Sequence, residues 1–305
     1  MTSAEPLISI ALCTFNGALH LKKQMESLIN QSYRPLEIIV VDDRSTDDTL
    51  SILQEYAKTH NFIHVFENQI NLGFVKNFEK ALTLCTGQYI AMSDQDDIWM
   101  EDKLEIMSRH IGNYDLVYHD SAFIDEYDQL IGNRKMSDHY HVYDGESNLP
   151  FLMANCIAGH AMLIKKDLLQ FALPFNKAFY HDWWIAFVAL TVGKIKVLPD
   201  VLVRYRQHAD GITDSLDRQS NKVVNPKTEL YDLRWIAHCL TFDNKKNPEE
   251  ITYIYKNLKA HQDGKRGFGL FFFMLKYYNI LFYLTAKDKS QLSRLNRIRK
   301  FAFKQ

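Results

Sequence analysis

Strand-forming runs and helical patterns alternate through the first third of the chain, and that alternation leaves few architectures open. LISIAL (Leu7 to Leu12), LEIIVV (Leu36 to Val41), FIHVFE (Phe62 to Glu67) and YIAM (Tyr89 to Met92) are short and apolar, which predicts strands buried on both faces. Between them, LHLKKQMESLINQ, DDTLSILQEYAKTH and FVKNFEKALTLC repeat apolar residues at helical spacing. Strand, helix, strand, helix predicts an α/β fold with a Rossmann-like, mainly parallel sheet flanked by helices. Ligands of such sheets settle beyond the carboxyl ends of the strands. Here those ends carry CTFNG, DDRSTDD, NQINLGF and SDQDD in turn, so four polar loops share one rim.

After Asp102 the pattern is mixed. LVYHDSAFID, GHAMLIKK, KIKVLP and VLVRYRQH read as strands, YHDWWIAFVALTVG as the start of a helix, and the polar stretch to about Asn148 as loop. Near Ser215 to Lys227 the composition shifts, and the chain beyond is helical and basic. This predicts a sheet domain over 1–215 and a helical C-terminal region over 216–305. Neither an internal repeat nor a low-complexity linker is present.

A chain of 305 residues, 47% hydrophobic, can bury one large core with an appendage or two modest ones. Its formal charge of −1 gives no general reason to expect nucleic acid. Cys13, Cys85, Cys156 and Cys239 lack CxxC spacing, which argues against a disulfide scaffold or zinc knuckle and suits a reducing cytoplasm. The N-terminal apolar stretch is too short and broken for a signal peptide.

The acidic residues of the rim carry the chemistry. In VVDDRSTDDT, helix capping by Ser45 or Thr46, with Asp47 and Asp48 in the first turn, accounts for the last two acids. It leaves Asp42 and Asp43 at the strand terminus, where a carboxylate can accept hydrogen bonds from a nucleobase or ribose. SDQDDIW crowds Asp94, Asp96 and Asp97 together, and a divalent cation relieves the repulsion such a cluster stores. Mg²⁺ takes few protein carboxylates plus phosphates and waters, so the metal is expected to arrive with a diphosphate. A solvated acidic turn capping the next helix is the plainer reading.

In order, the segments TFNG, VVDDRSTDDT, NLGFVKNFEKAL, GQYIAMSDQDDIW, GHAMLI, HDWW and RYRQH resemble the family 2 glycosyltransferases of the GT-A fold. SDQDDIW together with HDWW is most similar to bacterial rhamnosyltransferase-like members that build surface polysaccharides. The resemblance covers roughly residues 7 to 210 and implies Mg²⁺ or Mn²⁺, a nucleotide-diphosphate sugar donor such as dTDP-rhamnose, and a glycan or lipid-linked acceptor. It places Thr14 and Asn16 along the nucleotide, Asp43 on the base, Asp94 by the ribose, Asp96 on the metal and Gly73 and Lys76 near the donor. Asp97 is implied to support the site or serve as an alternate ligand.

In YHDWWIAF the resemblance gives base duty to Asp182, although the family's acidic motif is often Glu-Asp and His181 precedes the acid here. Burial beside tryptophan raises a carboxyl toward the working range of a base, and an Asp also suits a helix N-terminus. Trp183 and Trp184 offer flat faces to sugar rings or to a core. His208 is implied to reach the metal or diphosphate, and the guanidinium of Arg206 matches phosphate oxygens. Gly159 and His160 are expected to line the sugar and acceptor pocket or to form a closely packed strand. The rivals are a nucleotidyltransferase, whose Gly-rich loop LCTFNGALH matches poorly, and a non-catalytic nucleotide-sugar or glycan-binding protein.

The last fifty residues hold twelve Lys and Arg against Asp263 and Asp288. Residues 267–286 are apolar and long enough to cross a bilayer, but Lys276 and Asn279 fall near the middle. QLSRLNRIRKFAFK then places Leu292, Leu295, Ile298 and Phe301 at three-residue spacing among Arg294, Arg297, Arg299, Lys300 and Lys304. That pattern predicts a helix lying on an anionic membrane, hence an enzyme held peripherally on the cytoplasmic face; a helix docked on the catalytic domain is the alternative.

Overall fold

The computed structural model describes residues 5–139, 141–207, 233–243, 246–263, 267–285 and 290–303. Its first half runs β1 (Ile8–Thr14), α1 (Ala18–Ile29), β2 (Leu36–Asp42), α2 (Thr49–Thr59), β3 (Ile63–Glu67), α3 (Phe74–Leu84), β4 (Tyr89–Ser93), β5 (Ile98–Trp99) and α4 (Lys103–Ile111). Next come β6 (Leu116–Ile124), β7 (Leu130–Lys135), the short α5 (Met136–His139), β8 (Met162–Lys165), the short α6 (Leu169–Ala172), α7 (His181–Val192) and β9 (Ile195–Arg206). The described C-terminal helices are α8 (Leu233–Thr241), α9 (Pro248–Gln262), α10 (Phe268–Lys276), α11 (Tyr278–Leu281) and α12 (Gln291–Phe303).

One sheet orders its strands β3-β2-β1-β4-β8-β6-β9-β5, with β7 on β6. β1 pairs in parallel with β2 and β4, and β2 with β3, which brings their carboxyl ends to one rim as the alternation predicts. Strand periodicity splits the side chains of β1 and β2: Ile8, Ile10, Leu12, Ile38 and Val40 enter one core, and Ala11, Cys13, Ile39 and Val41 the other. Each of the Ile, Leu and Val side chains removed from water contributes about 1.5–3 kcal/mol, which fixes the register because a one-residue slip would exchange the two sets.

Three expectations are corrected. β3 is the sheet's edge, so His64, Phe66 and Glu67 are exposed instead of buried. KIKVLP and VLVRYRQH form one strand, because β6 shifts register against β9 between His119, opposite Leu198, and Asp120, opposite Val201. The two residues passed over are Pro199, which has no N–H to give a ladder, and Asp200. The supposed loop up to Asn148 contains β7, folded back on β6 by a turn at Asp128 (φ 67°).

The helices of the C-terminal region join the core that α3 and α7 cover: Trp235, Ile236, Leu270, Met274, Ile298 and Phe301 are all buried in it. At Gly267 a Cβ would stand 2.0 Å from the Ala302 carbonyl oxygen, so this close approach of α12 to the start of α10 needs glycine. The predicted boundary at 215/216 lies outside the described residues.

Candidate active site

The rim loops are tied to one another before any ligand enters. Thr14, 2% exposed, donates its hydroxyl to Asp42 Oδ1 at 2.8 Å, and Ser45 donates both N–H and Oγ–H to the same carboxylate. Asn16 sits in the left-handed region (φ 48°), accepts the Thr46 N–H at 2.8 Å and donates its own N–H to Ser45. Thr14 therefore spends its hydroxyl on the scaffold, while Asn16 bridges two loops at the surface. α2 starts at Thr49, later than the sequence suggests, because Asp47 divides its carboxylate between the Thr49 and Ala18 amides and so serves two helix starts.

Asp43 is buried and accepts three hydrogen bonds: from Asn68 Nδ2 (2.7 Å), the Leu72 amide (2.7 Å) and the Gly73 amide (2.8 Å). It shapes the loop into α3, where Gly73 takes φ 80°, a conformation that a side chain resists. Lys76, expected near the donor, pairs with Glu79 at 2.7 Å, and both line a surface hollow with Leu72, Lys80 and Lys177.

Arg206 differs most from expectation. It is 3% exposed, and its guanidinium donates to the Asp96 carbonyl (2.7 Å), the Asp125 carbonyl (2.7 Å) and Asp128 Oδ1 (2.5 Å), while its amide donates to Asp97 Oδ1 (3.0 Å). A guanidinium held by three protein oxygens is structural, and this one clamps the acidic loop to the β6–β7 turn. His208 lies outside the described residues.

Under the acidic loop the structure gathers Asp94, Asp97 and His160, one ligand atom from each lying within 4.8 Å of the others. His160 Nδ1 is 3.7 Å from both Asp94 Oδ2 and Asp97 Oδ2. The imidazole is 2% exposed and stacks on Tyr205, and its Nε2 lies 3.0 Å from Ser121 Oγ. With Nε2–H donated to that hydroxyl, Nδ1 keeps its lone pair toward the carboxylates. Asp97 is fully buried, and its Oδ2 has no hydrogen-bond partner among the described residues. Burial, then the charges of Asp96 and Asp94, push its carboxyl well up, an arrangement that a bound cation would reverse. An orphaned buried oxygen beside a second carboxylate and an imidazole lone pair fits a divalent ion. Asp96 stands in the same loop but outside this group of three.

Sequence reasoning missed Lys103. Fully buried, it donates to the His160 carbonyl at 2.6 Å, and its Nζ lies 3.2 Å from the centre of the Trp99 ring. The lysine follows closely on the motif that signals the acids, yet spacing alone reads it as a solvated helix residue.

Asp182 is the second residue of α7, where Oδ1 accepts the Trp183 amide at 2.6 Å. Burial pushes its carboxyl up to about 7, the Asp94 charge adds to this, and the Trp183 and Gly159 amides restrain it. Gly159 joins the halves of the site: a Cβ there would meet His181 Nε2 at 3.6 Å and Asp182 Cβ at 3.9 Å, and His160 follows directly. Of the two tryptophans, Trp184 is 6% exposed, donates to the Ala172 carbonyl and stacks on Phe187, so it is core and not a sugar platform. Trp183 is half-buried against Trp235, with its indole N–H on the Phe151 carbonyl.

Residues 9–171 match the family Glycosyl transferase family 2. The chain belongs to that family. It is a glycosyltransferase, and relatives of this family 2 chain serve polysaccharide biosynthesis. An uncharacterized glycosyltransferase of Haemophilus influenzae is 27% identical over 268 residues, covering 84% of this chain and 83% of its own. The putative teichuronic acid biosynthesis glycosyltransferase TuaG of Bacillus subtilis is 40% identical over 105 residues, 34% of this chain and 42% of TuaG. Among solved structures, S. aureus TarS 1–349 in complex with UDP superposes with a TM-score of 0.60 at 19% identity, covering 87% of this chain and 74% of that one. The mannosyltransferase PcManGT of Pyrobaculum calidifontis, in complex with GDP-Man and Mn²⁺, gives 0.56 at 18% identity, covering 83% and 69%. The fold of this family 2 enzyme is GT-A.

Proposed function

We propose that this glycosyltransferase moves a sugar from a nucleoside-diphosphate donor to a glycan or lipid-linked acceptor by a single inverting displacement, in the synthesis of a bacterial surface polysaccharide. The observation that carries the reading is the convergence of two unlike acidic groups. The Asp94–Asp97 loop, with His160 beside it, has a buried oxygen without a hydrogen-bond partner among the described residues, and Asp182 beyond Gly159 is raised to about 7. A bound Mg²⁺ or Mn²⁺ would neutralise charge growing on the departing diphosphate. Asp94, Asp97 and His160 are the residues that support its place, and Asp96 and His208 are further ligand candidates from the family resemblance. Asp182 takes the proton of the acceptor hydroxyl as that oxygen attacks the anomeric carbon from the face opposite the leaving group. Asp43, Thr14, Asn16 and Gly73 build the nucleotide side of the rim, and Arg206 serves it by fixing the acidic loop.

TarS in complex with UDP and with UDP-GlcNAc, and PcManGT with GDP-Man, support a nucleotide sugar, while the resemblance carried by SDQDDIW together with HDWW favours dTDP-rhamnose. Nucleoside diphosphate release should be measured with UDP-GlcNAc, UDP-glucose, GDP-mannose and dTDP-rhamnose, each with MnCl₂ or MgCl₂. Selective turnover of dTDP-rhamnose is expected. Release or transfer from none of them would favour a non-catalytic binding role.

The membrane reading acquires a sharper form. Among the described residues, no helix is long and apolar enough to cross a membrane. Ile298 and Phe301 of the basic helix are buried in the core, and Arg297 lies over Phe282, so these residues hold the helix to the protein. Leu292 (80% exposed), Leu295, Phe268 and Phe272 remain outside, with exposed Arg299 and Lys300 on α12. Apolar side chains beside cations suit an anionic bilayer. Leu292→Glu with Leu295→Glu should therefore lower co-sedimentation with phosphatidylglycerol-containing liposomes several-fold without lowering the melting temperature, since neither side chain is buried. Unchanged co-sedimentation would remove the membrane role.

A further inference from the structure

His181 is 7% exposed, and neither ring nitrogen has a hydrogen-bond partner among the described residues. Its ring stacks on Phe78 at 4.3 Å between centroids, with Phe175 at 5.9 Å and Phe74 at 6.1 Å. An imidazole in an aromatic box, with the Asp94 charge near enough to act on it but no hydrogen-bond partner among the described residues, is an expensive core residue, because buried donors and acceptors are almost always satisfied. Neither ring nitrogen is open to solvent, but beside Nε2 the packing lacks a side chain because the neighbour is Gly159. The Nε2 atom lies 3.6 Å from the point where Gly159 would carry a Cβ, and the other atoms near that point are Asp182 Cβ and Met92 Cε, each at 3.9 Å. The position of the absent side chain thus lies between Nε2 and the root of Asp182, with ordinary contact distances to both. Phe74, 6.1 Å from the imidazole, and Tyr180, which precedes His181 in the chain, lie 5.9 Å apart and are 36% and 46% exposed.

We propose that His181 hydrogen-bonds a hydroxyl of a sugar ring seated over Gly159 and so helps determine which sugar the enzyme accepts. Burial pushes the His181 pKa down to about 4, so at neutral pH the ring offers one donor and one acceptor. A sugar hydroxyl is likewise both donor and acceptor, whereas a phosphate or carboxylate oxygen would satisfy only the donor. The exposed rings of Phe74 and Tyr180 supply the apolar surface that the C–H face of a pyranose packs against. This inference rests on the assignment of Asp182 as the base, since it places the sugar beside that carboxylate.

The sugar can be the donor's or the acceptor's, and the experiment separates the two. Binding of the nucleotide sugar that the wild type turns over, and of the matching nucleoside diphosphate, is measured calorimetrically in MnCl₂ for the wild type, His181→Phe and His181→Gln. His181→Phe preserves the stack on Phe78 and removes both nitrogens. It should lose about tenfold in affinity for the nucleotide sugar while the diphosphate binds as before, and His181→Gln, which can donate and accept, should recover part of the loss. If donor affinity holds and the acceptor KM rises by a similar factor, the hydroxyl is the acceptor's. Gly159→Ala is the second variant: its methyl fits at 3.6–3.9 Å without collision, should leave the melting temperature unchanged and should reproduce the loss by occupying the space beside Nε2 that the hydroxyl needs. Equal weakening of diphosphate and nucleotide sugar, or no change in donor affinity and acceptor KM for His181→Phe, would overturn the proposal. Asp182→Asn run in parallel keeps the two ideas apart: continued transfer by that variant sinks the base assignment, while the His181 result is read from binding alone.

Discussion

Asp182→Asn is expected to lower the transfer rate by about 10²–10⁴-fold while the donor binds with unchanged affinity, because the amide keeps the volume and loses only the ability to take a proton. The wild-type rate should carry the same signature in its pH dependence. With the carboxyl pushed up to about 7 by burial, the rate should rise about tenfold per pH unit below that value and level off above it. Stability moves the other way. A carboxyl raised in the folded state contributes stability that is complete below its ordinary pKa and is lost as pH rises through the folded value. Asp182→Asn fixes the protonated-like form, so the variant should melt above the wild type at about pH 8, and the gap should close toward about pH 4. A variant that is inactive but more stable at alkaline pH is hard to explain by damage to the fold. If transfer survives the substitution, another base acts.

Chelation is expected to reduce transfer by at least about 10²-fold, with recovery on adding MnCl₂ or MgCl₂. Asp97→Asn separates the ion's site from its neighbourhood. The amide still offers an oxygen to the Arg206 amide, which donates to Oδ1, and it removes the charge from the oxygen that lacks a partner. Mn²⁺ affinity, read by electron paramagnetic resonance or calorimetry, should fall by about 10–100-fold. In the wild type it should tighten with rising pH, since the cation must displace a proton from a carboxyl that burial holds well above the ordinary range. Asp96→Asn is the companion variant: the carboxylate whose loss weakens Mn²⁺ more is the one that holds it. Equal affinity in the wild type and both variants would contradict a cation on this loop.

The parallel half of the sheet was legible in the sequence because β1, β2 and β4 are continuous apolar runs and each ends in a polar loop, a pattern local in sequence. Much of the rest depends on what lies opposite. β3 carries the same kind of run as β2, yet its outer side is open because nothing follows it in the sheet. Pro199 reads as a strand end, but the fold bulges past it and keeps β9 whole. Individual roles were harder to read than the location of the site. The rim came from the strand–helix alternation, the acidic loop from its crowded charges and Asp182 from motif order, whereas Arg206 reads as a phosphate ligand until Asp125 and Asp128, far away in sequence, are found to occupy its guanidinium. Trp184 and Trp183 are adjacent, and a helix turns one into the core and leaves the other half-buried. His181 looks like an ordinary helix start until both ring nitrogens are found without hydrogen-bond partners among the described residues, which only three-dimensional neighbours can reveal.

The position of the cation is the most direct test of this chemistry. Crystals grown with MnCl₂ and the nucleoside diphosphate of the accepted donor should be measured at the manganese absorption edge. An anomalous peak is predicted on the Asp94–Asp97 loop, within about 2.0–2.3 Å of carboxylate oxygens and the His160 ring nitrogen and bridged to the diphosphate. A diphosphate bound at the rim with no manganese on that loop, and Asp97 still buried without a partner, would contradict it.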